Sequence, residues 1–564
     1  MRSLFKKELL QTTLVVLLIG FFGIFYWQTI MSLPLFGDAT IHGTNAQQLL
    51  EGGVTKLGAE YPGFYAYLMA EFYVFFGEKG YNLVPFISFL FLLLSVFLFI
   101  RQLTKNYYLS LFSIVFVGCS PKIIYYSARM YQEILLSALF IFFVFLLAKY
   151  LETREKSTLI LCSFLLGILL SLKQQGLFIM YSSTIIYFFI QLLRGKFSKL
   201  SFLCISVFPL ILGLGFYGLL FHNKGQLIPG GEEFSLIKNI NEYGKKIFFF
   251  DSKSNLSAEF NAFTTKINIK SAPNETDTLI RSFRKINEDY SLQVHSRAES
   301  KHIWPTEVFL DFDKFNQANN LYLLELQGKK LESQIVFYFS FALLIIGFLY
   351  CLKNYKKYSN LLLFSAIFLP INYVLFARNN DQQRYHIFLP LFLLSFIFIA
   401  LHQMYKKITI NTSLKSLSAT FLSILFFLPL LIPRIQINTL WVNSQIYSPS
   451  EGGIHSVQEA GDWIMKNTEK SSVIGQQCGN ETKYYSQREV LGDWRTDFLS
   501  KQDLLSFFKR FNIEYYVIYK SQLVEEKNWI NICWIPYSFF ERMNTNFPKV
   551  YTTKKEDIFV YRTQ

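Results

Sequence analysis

Residues 82–100 read NLVPFISFLFLLLSVFLFI, a stretch without a single charge, and Arg101 and Lys105 follow it. At roughly 1.5 Å of rise per residue, a helix of that length covers about 28 Å, close to the thickness of a bilayer's hydrocarbon core. Apolar runs of similar length recur at about 9–31, 107–121, 134–151, 157–172, 176–193, 200–221, 334–352, 361–376, 387–405 and 416–433. The composition agrees: 52% of the 564 residues are hydrophobic and 17% charged, too apolar for soluble helices that each keep a polar face. The sequence therefore specifies an α-helical polytopic membrane protein with about eleven transmembrane helices.

Orientation follows from the cations. With the N-terminus inside, the short inner loops hold Arg101 and Lys105, then Lys149, Arg154 and Lys156, then Arg194, Lys196 and Lys199, then Lys353, Lys356 and Lys357, then Lys406, Lys407 and Lys415. Each is basic, as the positive-inside rule requires. The first run, preceded by Arg2, Lys6 and Lys7, is too long for a signal peptide and lacks a small-residue cleavage site, so it reads as an uncleaved helix. The net charge of +15 sits mostly between spans rather than on a basic, aromatic-interleaved surface, so nucleic acid is not an expected partner. The expected home is the plasma membrane, with the C-terminal region outside.

Three outer segments exceed mere connectors. The outer loop 32–81 has amphipathic stretches at Thr40 to Leu50 and Tyr61 to Phe76, which suit juxtamembrane helices. An insertion at 222–333 has mixed charge and helical periodicity. Residues 434–564 alternate a helix (Val457 to Lys466), a strand (Ser472 to Gly475), a helix (Lys501 to Phe511), a strand (Glu514 to Tyr519) and a terminal strand pair (Lys549 to Thr553, Asp557 to Arg562), a small extracytoplasmic α/β domain. The expected division is a membrane module over 1–433 and this domain over 434–564. Cys162, Cys204 and Cys351 fall in apolar spans and read as structural; Cys478 and Cys533 are a candidate disulfide in an oxidising compartment.

Candidate chemistry comes from exceptions to the topology rule. Lys122, Arg129, Lys173, Arg378 and Arg384 lie in or beside short outer loops, where cations are disfavoured. A phosphate at headgroup depth gives them a reason, held by Lys as a point charge and by Arg as a fork of donors; snorkelling to lipid headgroups is the other reading. Asp38 follows the first span in FGDATIHGTN, residues 36–45, and in a helix starting there His42 and Asn45 share its face. A carboxylate so placed takes the proton of an acceptor hydroxyl or simply caps the helix. Glu133, at the mouth of the fourth span, is either a second functional acid or the i, i+4 partner of Arg129. No HExxH, CxxC, GxSxG or P-loop pattern occurs among the scattered histidines and cysteines, so neither a metal nor another cofactor is expected.

The ordered motifs resemble the glycosyltransferase C superfamily, specifically its polyprenyl-phosphate-sugar group, which includes protein O-mannosyltransferases and aminoarabinose transferases. The likeness rests on Gly37-Asp38 followed by Ala46-Gln47-Gln48-Leu49-Leu50-Glu51-Gly52, on Tyr61-Pro62-Gly63-Phe64-Tyr65, and on Ser120-Pro121 through Ala128-Arg129 to Gln132-Glu133. Lys173-Gln174-Gln175-Gly176 and Arg384-Tyr385 before Pro390 complete it. The resemblance implies a donor of the polyprenyl-phosphate sugar type and a glycan, lipid or protein acceptor. It implies Asp38 as base and Glu133 as accessory acid. Lys173 and Arg384 would be phosphate ligands, with Arg129 and Arg378 beside them and His42, Asn45, Tyr61 and Tyr385 near the sugar or acceptor. Protein mannosyltransferases carry two adjacent acids where this chain has Asp38-Ala39, which counts against a protein hydroxyl as acceptor. The competing class is a non-catalytic transporter or flippase of lipid-linked glycan, using the same cations to dock phosphate.

Overall fold

A computed structural model describes residues 2–31, 35, 38–52, 63–173, 175–193, 199–224, 330–376, 388–408, 454–477, 479–491, 501–524 and 535–564. The expected span 416–433, most of the insertion (225–329), Cys478 and Cys533 lie outside them. The chain divides into two compact units. The first comprises Met1–Leu33, Asn45–Pro229 and Ile303–Val442, and the second Pro34–Thr44, Gly230–His302 and Asn443–Gln564. The short segment Pro34–Thr44 thus folds with C-terminal residues, a grouping absent from the expected division.

The first unit is helical: α1 (Arg2–Met31), α2 (Asp38–Gly52, which begins in the second unit), α3 (Phe64–Phe76), α4 (Lys79–Thr104), α5 (Tyr107–Gly118), α6 (Pro121–Ala128), α7 (Glu133–Thr153), α8 (Lys156–Leu172), α9 (Gln175–Leu193), α10 (Lys199–Lys224), α11 (Lys330–Lys353), α12 (Tyr355–Phe376) and α13 (Phe388–Ile408). Among the described residues, three helices are long and apolar enough to cross a membrane: Leu9–Met31, Lys79–Thr104 and Glu133–Thr153. The expected span 107–121 is shorter than its apolar run. Proline disfavours helical geometry in the residue before it, so the chain breaks at Ser120-Pro121, leaving α5 and a separate α6 where a plain loop was expected.

Between helices already in lipid, side-chain packing rather than transfer out of water drives association. Here phenylalanine supplies it. Phe140 of α7 stacks on Phe368 of α12 at 4.8 Å between ring centroids and meets Phe388 of α13 edge-on at 5.3 Å. Phe364 and Phe392 close the cluster at 5.2 Å. α4 packs on α7, α8 on α10, and α11 on α13. At one end of the bundle, Asn82 of α4 donates to the Ile30 carbonyl of α1 at 2.9 Å. At the other, Gln102 and Lys105 both reach Glu152 of α7, at 2.8 and 3.3 Å. That second end carries Arg101, Lys149 and Arg154, the cations expected inside, and its exposed ion pairs contribute little to stability.

The second unit, in its C-terminal part, is α/β: α14 (Ile454–Asn467), β1 (Val473–Gly475), α15 (Asn480–Ser486), β2 (Glu489–Leu491), α16 (Lys501–Arg510), β3 (Ile513–Tyr519), β4 (Leu523–Val524), β5 (Ile535–Pro536), α17 (Tyr537–Asn546), β6 (Lys549–Thr552) and β7 (Ile558–Arg562). The main sheet runs β2-β1-β3-β7-β6, with β1 parallel to β2 and β3 and with β7 antiparallel to β3 and β6. Its two faces bury separate cores. One gathers Phe507, Phe508, Tyr516, Phe539 and Met543, the other Val457, Ile464, Ile474, Val517 and Val560.

Arg488 ties the ends of α14 and α15 together. Its Nη2 donates to the carbonyls of Met465 and Thr468 at 2.7 and 2.8 Å, and its Nε to Thr468 Oγ1 at 3.1 Å. Those carbonyls are ones a helix C-terminus leaves without intrahelical donors, and a cation there also complements the helix dipole. Arg488→Met is expected to cost about 2 kcal/mol, since charged hydrogen bonds are lost and buried acceptors stranded. For a unit of this size the thermal midpoint falls by roughly 5–10 °C; calorimetry of the full chain showing an unchanged midpoint would contradict the assignment.

Candidate functional site

The site is built at the end of the first unit where α6 turns into α7 and α8 into α9. α6 stops at Ala128, and Met130 adopts a left-handed conformation at φ +55°, unusual for a residue with a side chain. Such a conformation costs on the order of 1 kcal/mol and persists only where the surroundings hold it. Met130 N donates to the Ser127 carbonyl and Tyr131 N to that of Tyr126, each at 3.1 Å. The Met130 carbonyl accepts from the hydroxyl of Tyr65 in α3 at 3.0 Å. Tyr65 is fully buried; burial first, and the Glu133 carboxylate second, push its phenol above its ordinary range, so it stays a donor.

This turn presents Arg129 and Gln132 and starts α7 at Glu133, all three buried. Lys173 ends α8 in extended geometry, its own N–H donating to the Leu169 carbonyl and its carbonyl accepting from Gly176 N at 2.8 Å. Only glycine fits at 176, because a Cβ would lie 1.9 Å from the Leu169 carbonyl oxygen. The tight turn leaves Lys173 at the α8 terminus, where its Nζ forms a buried ion pair with Glu133 Oε1. Lys173 is 5% and Glu133 2% exposed, so the charges are desolvated and neither is stable there without a counter-ion.

The structure thus brings together Lys173 and Glu133, forty positions apart, and sets Arg129 in the same turn as Glu133. The i, i+4 reading of Arg129 and Glu133 presupposes one continuous helix, which the left-handed turn at Met130 removes. Asn45 is buried in α2 of this unit. In the second unit, Asp38 is the first helical residue of α2 and His42 is buried one turn on. Arg378, Arg384, Tyr61 and Tyr385 lie outside the described residues. Tyr65 was the missed participant: aromatic content marked its segment, but nothing local indicates that its hydroxyl reaches Met130. Among the described residues no group of histidine, cysteine and acidic side chains is placed to hold a metal.

No family model and no curated protein matches the sequence. Solved structures do match its architecture. ArnT from Cupriavidus metallidurans, an aminoarabinose transferase, superposes in its apo state with a TM-score of 0.56 at 12% identity, over 98% of this chain and 98% of that one. The apo Archaeoglobus fulgidus oligosaccharyltransferase gives 0.56 at 11% identity over 98% of this chain and 74% of that one. The same enzyme tethered to an acceptor peptide containing the NVT sequon gives 0.54 at 11% identity, over 99% and 74%. The chain therefore shares its overall fold with these two membrane enzymes. This shared fold, with three described helices long and apolar enough to cross a membrane, makes the chain an integral membrane protein.

The buried pair in the helical bundle makes a direct prediction. Lys173→Met and Glu133→Gln each strand a desolvated partner and should each cost roughly 3–5 kcal/mol, whereas the double variant, which removes both members of the pair, should cost clearly less than the sum of the two. Thermal unfolding of detergent-solubilised protein reads the cycle; additive losses in the double variant would contradict a mutual pair.

Proposed function

We propose that this chain is an inverting membrane glycosyltransferase that takes a sugar from a polyprenyl-phosphate-linked donor and gives it to an extracytoplasmic acceptor. In this reading eleven helices span the plasma membrane, the N-terminus is inside, and residues 434–564 lie outside. The observation that carries it is the buried ion pair of Lys173 with Glu133, with a further buried cation, Arg129, in the turn that opens α7, charges kept in a place where burial penalises each of them.

An acceptor oxygen attacks the anomeric carbon, the carbon–oxygen bond to phosphate breaks with inversion, and the polyprenyl phosphate leaves with the bonding pair. Lys173 and Arg129 stabilise the charge that develops on the departing phosphate oxygen, an effect strongest in a dry, preorganised site. Arg384 and Arg378 are assigned to the same phosphate by sequence. Asp38 takes the acceptor proton. Glu133 serves as the accessory acid by holding the Lys173 ammonium charged and in place. Buried Gln132 Oε1, which makes no hydrogen bond among the described residues, offers an acceptor for a hydroxyl in the turn before Glu133. The archaeal oligosaccharyltransferase has been solved tethered to an acceptor peptide, a ligand of the acceptor class this reaction needs.

The test is release of polyprenyl phosphate from a labelled polyprenyl-phosphate hexose by purified protein supplied with an envelope glycan extract. Asp38→Asn should lower the rate by about 10²–10⁴ while donor binding persists. Undiminished transfer would remove Asp38 as the base, and movement of intact donor across vesicles without cleavage would favour the transporter class.

A further inference from the structure

The second unit holds more than a C-terminal domain: it includes Pro34–Thr44, the stretch that joins α1 to α2 and contains Asp38. Two contacts fix that stretch to α15. The Tyr485 hydroxyl donates to the Leu35 carbonyl at 2.8 Å, linking residues 450 positions apart. One turn into α2, Gly43 lies so close to the neighbouring tyrosine that a Cβ would stand 2.8 Å from Tyr484 Cε2 and 2.7 Å from Leu35 Cδ1. Leu35, Ala39, Thr40 and His42 are all buried. Tyr484 and Tyr485, edge to face at 4.9 Å, therefore grip the segment from its backbone on one side and its glycine face on the other.

α15 is itself rigidly seated. Gly461 of α14 admits the Tyr485 backbone so closely that a Cβ there would come within 2.2 Å of Tyr485 Cβ. Tyr485 packs on the Val457, Ala460 and Ile464 core, and Arg488 fastens the far end of α15 to α14. A hydrogen bond to an isolated carbonyl is worth little by itself; between a braced helix and a loop, it decides where the loop sits.

We infer that Tyr484 and Tyr485 of the C-terminal domain are positioning residues for the reaction: they clamp the start of α2 and so set the placement of the helix that Asp38 opens. The inference rests on the glycosyltransferase reading for its catalytic part only. Transfer then depends on these C-terminal residues through the Asp38 segment they hold, even where the acceptor does not touch them. Proper placement of a reacting group is worth up to about a hundredfold per ångström, so loosening the clamp is expected to lower kcat and spare donor KM.

The experiment compares the full chain with Tyr485→Phe, which deletes one hydroxyl, and Gly43→Ala, which drives a methyl into Tyr484 and Leu35. Amide hydrogen exchange over 35–44 and steady-state transfer from the polyprenyl-phosphate hexose are both measured. Exchange should quicken roughly three- to tenfold in Tyr485→Phe, the equivalent of one net hydrogen bond, with kcat down about tenfold and donor KM unchanged. Unchanged exchange in both variants would overturn the clamp; faster exchange with unaltered kcat would overturn its positioning role. A wild-type protein that transfers nothing would instead overturn the glycosyltransferase reading, and the exchange measurement would still decide the clamp.

Discussion

An ammonium and a carboxylate, each all but removed from solvent, hold one another at the point where α7 begins and α8 ends. Neither Lys173 nor Glu133 is stable there alone, because burying an unpaired charge costs several kcal/mol. Replacing both by apolar groups would serve stability at least as well, so the pair is a poor explanation of the fold and a better one of a task. The same constraint organises its surroundings. Met130 accepts a strained backbone to turn α6 into α7, Tyr65 anchors that turn through its carbonyl, and Gly176 permits the close return of α9 behind Lys173.

Much of the architecture was legible in the residues. Uncharged runs gave the helices because a lipid-embedded backbone must satisfy its own hydrogen bonds. Lys173, Arg129 and Glu133 were each conspicuous as charges in places that ordinarily exclude them. What stayed hidden was the partnership of Lys173 with Glu133. Arg129 and Glu133, four apart, looked like a helical pair, but helical spacing has that meaning only within a helix, and the left-handed Met130 lies between them. The break at Ser120-Pro121 was readable from proline chemistry, yet hydropathy alone carried the apolar run across it.

In the C-terminal region, the alternating patterns of β3 and β7 and the amphipathic faces of α14 and α16 announced themselves. α15, seven residues reading NETKYYS, has neither an apolar stripe nor a strand pattern. Its two tyrosines meet partners more than four hundred residues away, a contact no local signal carries. A sequence-based boundary drawn after the last apolar run therefore separates residues 34–44 from the unit that holds them.

The central claim is that the buried cations exist for a lipid-borne phosphate. Native mass spectrometry of the purified protein with undecaprenyl phosphate and, separately, with undecaprenol isolates that one group while leaving the chain of the lipid unchanged. Retention of the phosphate at least tenfold above the alcohol, lost in Arg129→Gln and falling with rising salt, is the predicted result. Equal retention of the two lipids, or a phosphate preference indifferent to Arg129, would contradict it.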